Sequence, residues 1–250
     1  MSTGKQKYNE YDPPPILKPY LDCYWSYSAS TTLNLLHAKP IIPDGCIDII
    51  FDLTRQTKAS SLLIGAMTKP ITNNRTKIIG VRFKPGMAYP FIKIPMNKLT
   101  DMIVDYHEFS GPEANDLSDQ LIESDSIKAQ LSLLNNHLTL KLSSMRSVEP
   151  GIRQALYLIN NATGNETVKE ISDKIGWSRQ YLNKKCLCYT GLSPKFLLQA
   201  IRIKKVVSHY NSEKFHSWSD LSLAGGFYDQ SHMINEFKNI TGLTPIDFLT

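Results

Sequence analysis

A chain of 250 residues, 42% of them hydrophobic and with a net charge of +5, holds enough apolar material for one large or two ordinary globular domains. It contains no run of eighteen apolar residues, so a membrane span is not expected, and its four cysteines show neither zinc-like spacing nor the density of a disulfide framework. So mild a charge says little about partners until its distribution is known.

The opening residues, MSTGKQKYNEYDPPP, are polar and proline-rich and lack the apolar core of a signal peptide, so a cytoplasmic location is the expectation. From there to about residue 96 the chain reads as strands and turns. Short apolar and β-branched runs, Tyr20–Tyr27, Cys46–Leu53, Ser61–Ile64 and Lys77–Phe83, are separated by turn signals at Pro43-Asp44-Gly45, Asn73-Asn74 and Lys84-Pro85-Gly86. That rhythm predicts a β-barrel or sandwich rather than alternating strand–helix units. From Asn97 to Leu142 the pattern turns helical. Apolar residues at Leu117, Leu121, Ile122, Ile127, Leu131, Leu134 and Leu138 form a stripe that either covers the barrel or pairs with a second subunit. Lys141 to Pro150 is small, polar and closed by a proline, as a linker would be. It divides the chain into an N-terminal domain, 1–145, and a C-terminal domain, 150–250.

After residue 150 one unit occurs twice. Val168, Ile171 and Gly176 fall on Trp218, Leu221 and Gly226 at an offset of fifty. Ser178, Leu182, Cys186, Gly191 and Pro194 fall on Asp229, Met233, Phe237, Gly242 and Pro245 at fifty-one. Each copy reads as a short amphipathic helix, a glycine suited to the left-handed conformation, an aromatic anchor (Trp177 or Phe227), an N-cap (Ser178 or Asp229) and a second helix. This is the helix-turn-helix pattern. Pro194–Tyr210, capped by Ser193, predicts a connecting helix about 25 Å long. That length suits two reading helices in successive major grooves, about 34 Å apart on one face of a duplex. The alternative is a helical domain used only for protein contacts.

Charge supports the DNA reading. Between Lys174 and Ser212 there is no acidic residue, while Lys174, Arg179, Lys184, Lys185, Lys195, Arg202, Lys204 and Lys205 lie there. Such a stretch is either a phosphate-facing surface or a solvated basic face. The second unit carries Asp229 and Glu236, so the first is expected to supply more of the affinity.

The chemistry of catalysis or metal binding is not evident. Asp44 is explained by a Pro-Asp-Gly turn. His37, His107 and His137 form no metal-ligand pair, and Cys186 and Cys188, two apart on a helix, point about 200° from each other. Cys23 and Cys46 stand alone, unlike the clustered metal-bound cysteines of DNA-repair proteins with a similar helical unit. Neither a phosphate-binding glycine loop nor a nucleophile elbow occurs. All four cysteines read as reduced core residues. No enzyme activity, catalytic residue, metal or cofactor is therefore expected. Tyr24, Trp25, Tyr27, Phe83, Tyr89 and Phe91 either line a pocket or fill a core.

The segment GFYDQSHMINEFKNITGLTPIDFL resembles the signature of the AraC/XylS family of transcription regulators, and WSRQYLNKKCLCYTGLSPKFLLQAIRIKKV resembles that family's first recognition helix and connecting helix. YLDCYWSY, IIPDGCIDIIFDL, LIGAMTKPI and GVRFKPGMAYPF are similar to the sensor half of one subgroup. The resemblance implies an α+β chain: a β-barrel or cupin-like N-terminal domain with flanking helices, then an all-α domain of two helix-turn-helix units joined by a long helix. It implies a sequence-specific regulator on double-stranded DNA, reading two adjacent turns of the major groove. Arg179, Gln180, Asn183 and Lys184 would read from the first unit, and Gln230, Ser231, His232 and Asn235 from the second. Arg and Lys suit guanine edges, and Asn and Gln suit adenine; His232 is equally readable as a solvent-facing side chain. Helix starts at Ser193 and Thr244 would hold phosphates. A small-molecule effector, RNA polymerase and a homodimer are implied partners, and a nucleoid-associated place in the cytoplasm the location. The alternative is a constitutive DNA-binding protein whose N-terminal domain only dimerises. The sequence stops at Thr250, short of the family's usual basic end.

Overall fold

The computed structural model describes residues 7–29, 42–54, 61–71, 75–111, 113–143, 145, 147–212 and 215–249. His37, the Asn73-Asn74 turn and Thr250 lie outside them.

Six strands form one antiparallel sheet: β1 (Lys7–Tyr11), β2 (Leu21–Ser28), β3 (Ile47–Asp52), β4 (Ser61–Ile64), β5 (Lys77–Phe83) and β6 (Ile103–Asp105), in the order β1-β2-β5-β3-β4-β6. The four apolar runs read from the sequence are β2 to β5. Alternation sets their faces. Ile47, Ile49 and Phe51 point into the main core with Ile79, Val81 and Phe83, while Ile50 packs with Cys23, Trp25 and Ile78 on the other face. On that outer face Asp48 accepts hydrogen bonds from Trp25 Nε1 at 2.8 Å and Arg82 Nε at 3.2 Å.

The helical run expected from Asn97 begins later. A single 3-10 turn (Met96–Lys98) is followed by Asp101 in the left-handed region (φ 58°), and the chain then pairs with β4 as β6. Helices α1 (Tyr89–Ile92), α2 (His107–Ser110), α3 (Glu113–Glu123) and α4 (Ile127–Ser143) complete this half. The apolar stripe is shared by α3 and α4. Leu117, Leu121, Leu134 and Leu138 are buried in the main core, and Tyr24 Oη donates to Asn135 Oδ1 at 2.6 Å, so the stripe covers the sheet.

The C-terminal half is helical: α5 (Pro150–Asn160), α6 (Val168–Lys174), α7 (Arg179–Thr190), α8 (Pro194–Asn211), α9 (Trp218–Ala224), α10 (Gln230–Thr241) and α11 (Pro245–Leu249). The core does not stop at the linker. Ile152, Ala155, Leu156 and Ile159 of α5, Leu182 and Cys186 of α7, and Leu197 and Leu198 of α8 belong to the same buried cluster as the sheet. Ile203, Val206, Leu221, Phe227, Met233, Phe237 and Ile240 form a separate one. The first helix-turn-helix unit is thus built into the N-terminal half, and the second stands on its own core at the far end of α8.

Candidate nucleic-acid interface

Each repeat adopts the predicted local structure. Gly176 and Gly226 have φ of 69° and 82°, and Gly191 and Gly242 have φ of 80° and 75°. Ser178 Oγ accepts the Tyr181 N–H at 3.2 Å, and Asp229 Oδ1 accepts the His232 N–H at 2.7 Å, starting α7 and α10 in the same way. Thr167 and Glu170 close a reciprocal capping box on α6. The inward side chains of the two second helices, Leu182 and Cys186 in α7 and Met233 and Phe237 in α10, are wholly buried. The opposite faces are open. Arg179, Gln180 and Lys184 are exposed and Asn183 is half-buried; Gln230, Ser231, His232 and Asn235 are all exposed. Helix α8 has 18 residues, about 27 Å at 1.5 Å per residue.

His232 is the least free of these side chains. Its ring lies edge-on to Phe227 at 5.3 Å, and Nε2 is 3.7 Å from Glu236 Oε2. Ser193 and Thr244 cap their own helices through the N–H groups of Phe196 and Asp247. Thr244 also donates to the Asp247 carboxylate, which places a negative charge where a phosphate would approach; Ser193 has no such neighbour in its first turn.

The basic stretch divides into two sets. Lys174, Arg179, Lys184 and Lys195 are exposed. Lys185, Arg202 and Lys204 pair with acids of the fold, Lys185 with Glu149, Arg202 with Glu236 and the still exposed Lys204 with Asp44, and Lys205 is half-buried. Glu236, read from the sequence as an acid near the DNA, is buried. It accepts Arg202 Nε and Nη2, each at 2.7 Å, and Gln199 Nε2 at 3.1 Å.

Two aromatics escaped the sequence reading. Tyr228 is 88% exposed, directly before the cap of α10, and Tyr181 is 40% exposed on the first turn of α7. The signal for Tyr228 was the change of offset from fifty to fifty-one, since it lies in the turn that gains a residue. Of the six aromatics readable as pocket or core, Tyr24, Trp25, Phe83 and Phe91 are buried, whereas Tyr27 and Tyr89 are half-buried. All four cysteines are free thiols. Among the described residues no group of three His, Cys, Asp or Glu side chains is placed to hold a metal ion, and no helix is long and apolar enough to cross a membrane.

Residues 171–250 match a family described as a helix-turn-helix domain, and residues 9–105 match a domain of unknown function, DUF6597. No curated protein sequence matches the chain. Among solved structures, the chain is similar to the C-terminal domain of AraT, a response regulator from Geobacillus stearothermophilus, with 21% identity over 42% of this chain and 87% of that one (TM-score 0.39). It is also similar to ToxT from Vibrio cholerae, with 12% identity over 99% of this chain and 98% of that one (TM-score 0.46). A structure of ToxT bound to an unsaturated fatty acid aligns at 15% identity over 99% of this chain and 95% of that one (TM-score 0.43).

The duplicated, capped and outward-facing helices, with the family match over them, define a helix-turn-helix protein that binds DNA and regulates transcription. Residues 171–250 of the chain thus carry a helix-turn-helix domain.

Proposed function

We propose that the chain is a sequence-specific regulator that lays α7 and α10 in two adjacent major grooves of one duplex. Arg179, Gln180, Asn183 and Lys184 read the first groove, and Gln230, Ser231, His232 and Asn235 the second. One observation carries this reading: two identically capped helices turn polar faces to solvent and are spaced by a single 18-residue helix. The N–H groups at Ser193 hold a phosphate; those at Thr244 do so less well, because Asp247 is already there. The functional division lies between residues 145 and 150, and the working location is cytoplasmic, on the nucleoid.

We further propose that the N-terminal half takes a small-molecule effector. A ligand changes DNA binding only if it favours one arrangement of the chain over another. The core shared by the sheet, α5 and α7 offers a route, which favours this reading over a constitutive protein whose N-terminal half only dimerises. RNA polymerase contact and a homodimer are expectations of the same reading.

The test is binding to an operator selected from genomic fragments. Lys184→Ala and Asn235→Ala are each expected to weaken binding by about 1–3 kcal/mol and to relax base preference at one position. Loss that is uniform across sequences, with a salt slope reduced by about one, assigns the residue to phosphate instead. A thermal-shift screen with small metabolites tests the effector. Stabilisation by none of them, with unchanged operator binding, favours the constitutive alternative.

A further inference from the structure

Among the described residues Tyr228 is the most exposed large apolar side chain, at 88%. A single exposed aromatic is ordinary on a protein surface; this one stands out by where it sits and how it is held. It lies between Phe227, buried in the core of the second unit, and Asp229, whose carboxylate caps α10 by accepting the His232 N–H. With Phe227 turned inward and Asp229 turned to the helix, Tyr228 faces solvent beside Gln230 and Ser231, both exposed. Among the described residues it has no hydrogen bond, ion pair or ring contact.

The turn that carries it is firmly seated. Gly226 has a φ of 82°, and a Cβ there would lie 2.8 Å from Gly164 Cα; a Cβ on Gly164 would lie 2.9 Å from the Gly225 carbonyl oxygen. Arg202 Nη1 also donates to the Gly164 carbonyl at 3.3 Å. Backbone thus packs on backbone behind Tyr228. A tyrosine has two rotatable side-chain angles, so on such a mount it offers a large contact area at low entropic cost.

Helix-turn-helix units bring the N-terminal end of the second helix to base edges. The residue just before the cap therefore reaches the mouth of the groove with Gln230 and Ser231. The first unit has no counterpart. There Trp177 directly precedes the cap Ser178, and Tyr228 is the residue by which the second turn is longer. The units also differ in charge. Helix α7 exposes Arg179 and Lys184 on its reading face, whereas Gln230, Ser231 and Asn235 of α10 are neutral and Asp229 stands at its start. A neutral reading face gains more from apolar surface removed from water than from phosphate attraction. A tyrosine ring supplies that surface, and its hydroxyl keeps the ring hydrated in the free protein. The apolar group that the major groove presents is the 5-methyl of thymine.

We propose that Tyr228 is a further specificity-determining residue, its ring packing on the 5-methyl of a thymine at the edge of the second major-groove site. The proposal rests on the two-groove reading above.

The test uses the full chain and the selected operator, in which each thymine of the second protected patch is replaced singly by deoxyuridine, which lacks only the methyl. For the wild-type chain one replacement is expected to weaken binding about fourfold, as loss of one buried methyl does. Tyr228→Ala should bind the unmodified operator about tenfold more weakly and show no loss at that thymine. It should keep the wild-type Tm and salt slope, since an exposed neutral ring neither fills the core nor releases counterions. Tyr228→Phe should match the wild type within about twofold. If no thymine in the patch shows a loss that Tyr228→Ala abolishes, the contact is overturned. A Tyr228→Phe chain that loses as much as Tyr228→Ala also overturns it, assigning the hydroxyl to the phosphate backbone instead. The two readings fail separately. If Gln230→Ala with Asn235→Ala erases the second patch while Tyr228→Ala changes nothing, this contact alone falls; if all three substitutions leave that patch intact, the two-groove reading falls.

Discussion

Asp44 and Lys204 are separated by 160 positions in the chain, yet Lys204 Nζ donates to Asp44 Oδ2 at 3.0 Å. Asp44 does the turn work expected of a Pro-Asp-Gly sequence, since its Oδ1 accepts the Cys46 N–H at 2.9 Å. Its other oxygen ties the sheet to the helix that joins the two reading units. Burial opposes the Asp44 charge, but Lys204, Arg82 and the Cys46 N–H outweigh burial and hold its pKa below the usual value. Burial likewise opposes the Lys204 charge, and Asp44 more than restores it, so that pKa is raised.

These shifts set a pH window. The lowered Asp44 pKa contributes stability above the ordinary carboxylate range that is lost as pH falls through its folded value. The raised Lys204 pKa contributes stability that is complete below about 10.5 and lost as pH rises through the folded value. The tie therefore holds across neutral pH. Asp44→Asn and Lys204→Ala should each cost about 1 kcal/mol at pH 7, and the double variant little more than either. Denaturant unfolding of the four proteins measures this; strictly additive losses would show that the two groups do not interact.

Gly191 and Gly242 end the two reading helices in the same left-handed conformation but in different surroundings. A Cβ on Gly191 would lie 2.9 Å from Thr100 Oγ1 and 3.1 Å from Met96 O, whereas a Cβ on Gly242 meets nothing within 4 Å. Thr100 also donates to the Gly191 carbonyl at 2.8 Å. Gly242→Ala should cost only the conformational penalty, about 1–2 kcal/mol. Gly191→Ala adds displacement of the seam with the N-terminal half and should cost about 1–3 kcal/mol more. Equal losses in thermal unfolding would mean that this seam is loose in solution.

Arg202 fixes the second unit to α8. Besides its paired bonds to Glu236, its Nη1 donates to the Gly164 carbonyl at 3.3 Å, and its guanidinium lies 5.5 Å from the centre of the Phe227 ring. Arg202→Ala strands a buried carboxylate and should cost about 3 kcal/mol. Lysine should not restore it, because the two-pronged geometry is lost. Replacing both partners, Arg202→Met with Glu236→Leu, should recover most of the stability. A loss under about 1 kcal/mol for Arg202→Ala would contradict the assignment.

Much of this was legible in the sequence, for local reasons. The strands β2 to β5 announce themselves as apolar runs between turns, and the repeat does so through glycines and caps whose geometry is fixed by a few neighbouring residues. Strand β1 was not legible because Lys7–Tyr11 is polar and mostly exposed, and it joins the sheet by pairing with β2. Strand β6 is three residues long and lies inside a helical-looking stretch. The charge pattern was read too simply. Sequence shows that Lys185, Arg202, Lys204 and Glu236 carry charge, but not that the fold pairs them with partners 34 to 160 positions away. The expected asymmetry still has a basis, since α7 exposes Arg179 and Lys184 whereas the exposed cation of α10 is Lys238.

Footprinting on a selected operator tests the central claim most directly. Two protected patches are expected on one face of the duplex, about 10 base pairs apart centre to centre. Arg179→Ala with Lys184→Ala should erase one patch, and Gln230→Ala with Asn235→Ala the other, with the larger loss of affinity from the first pair. Protection that ignores both pairs of substitutions, or a single patch too short for two grooves, would contradict the account.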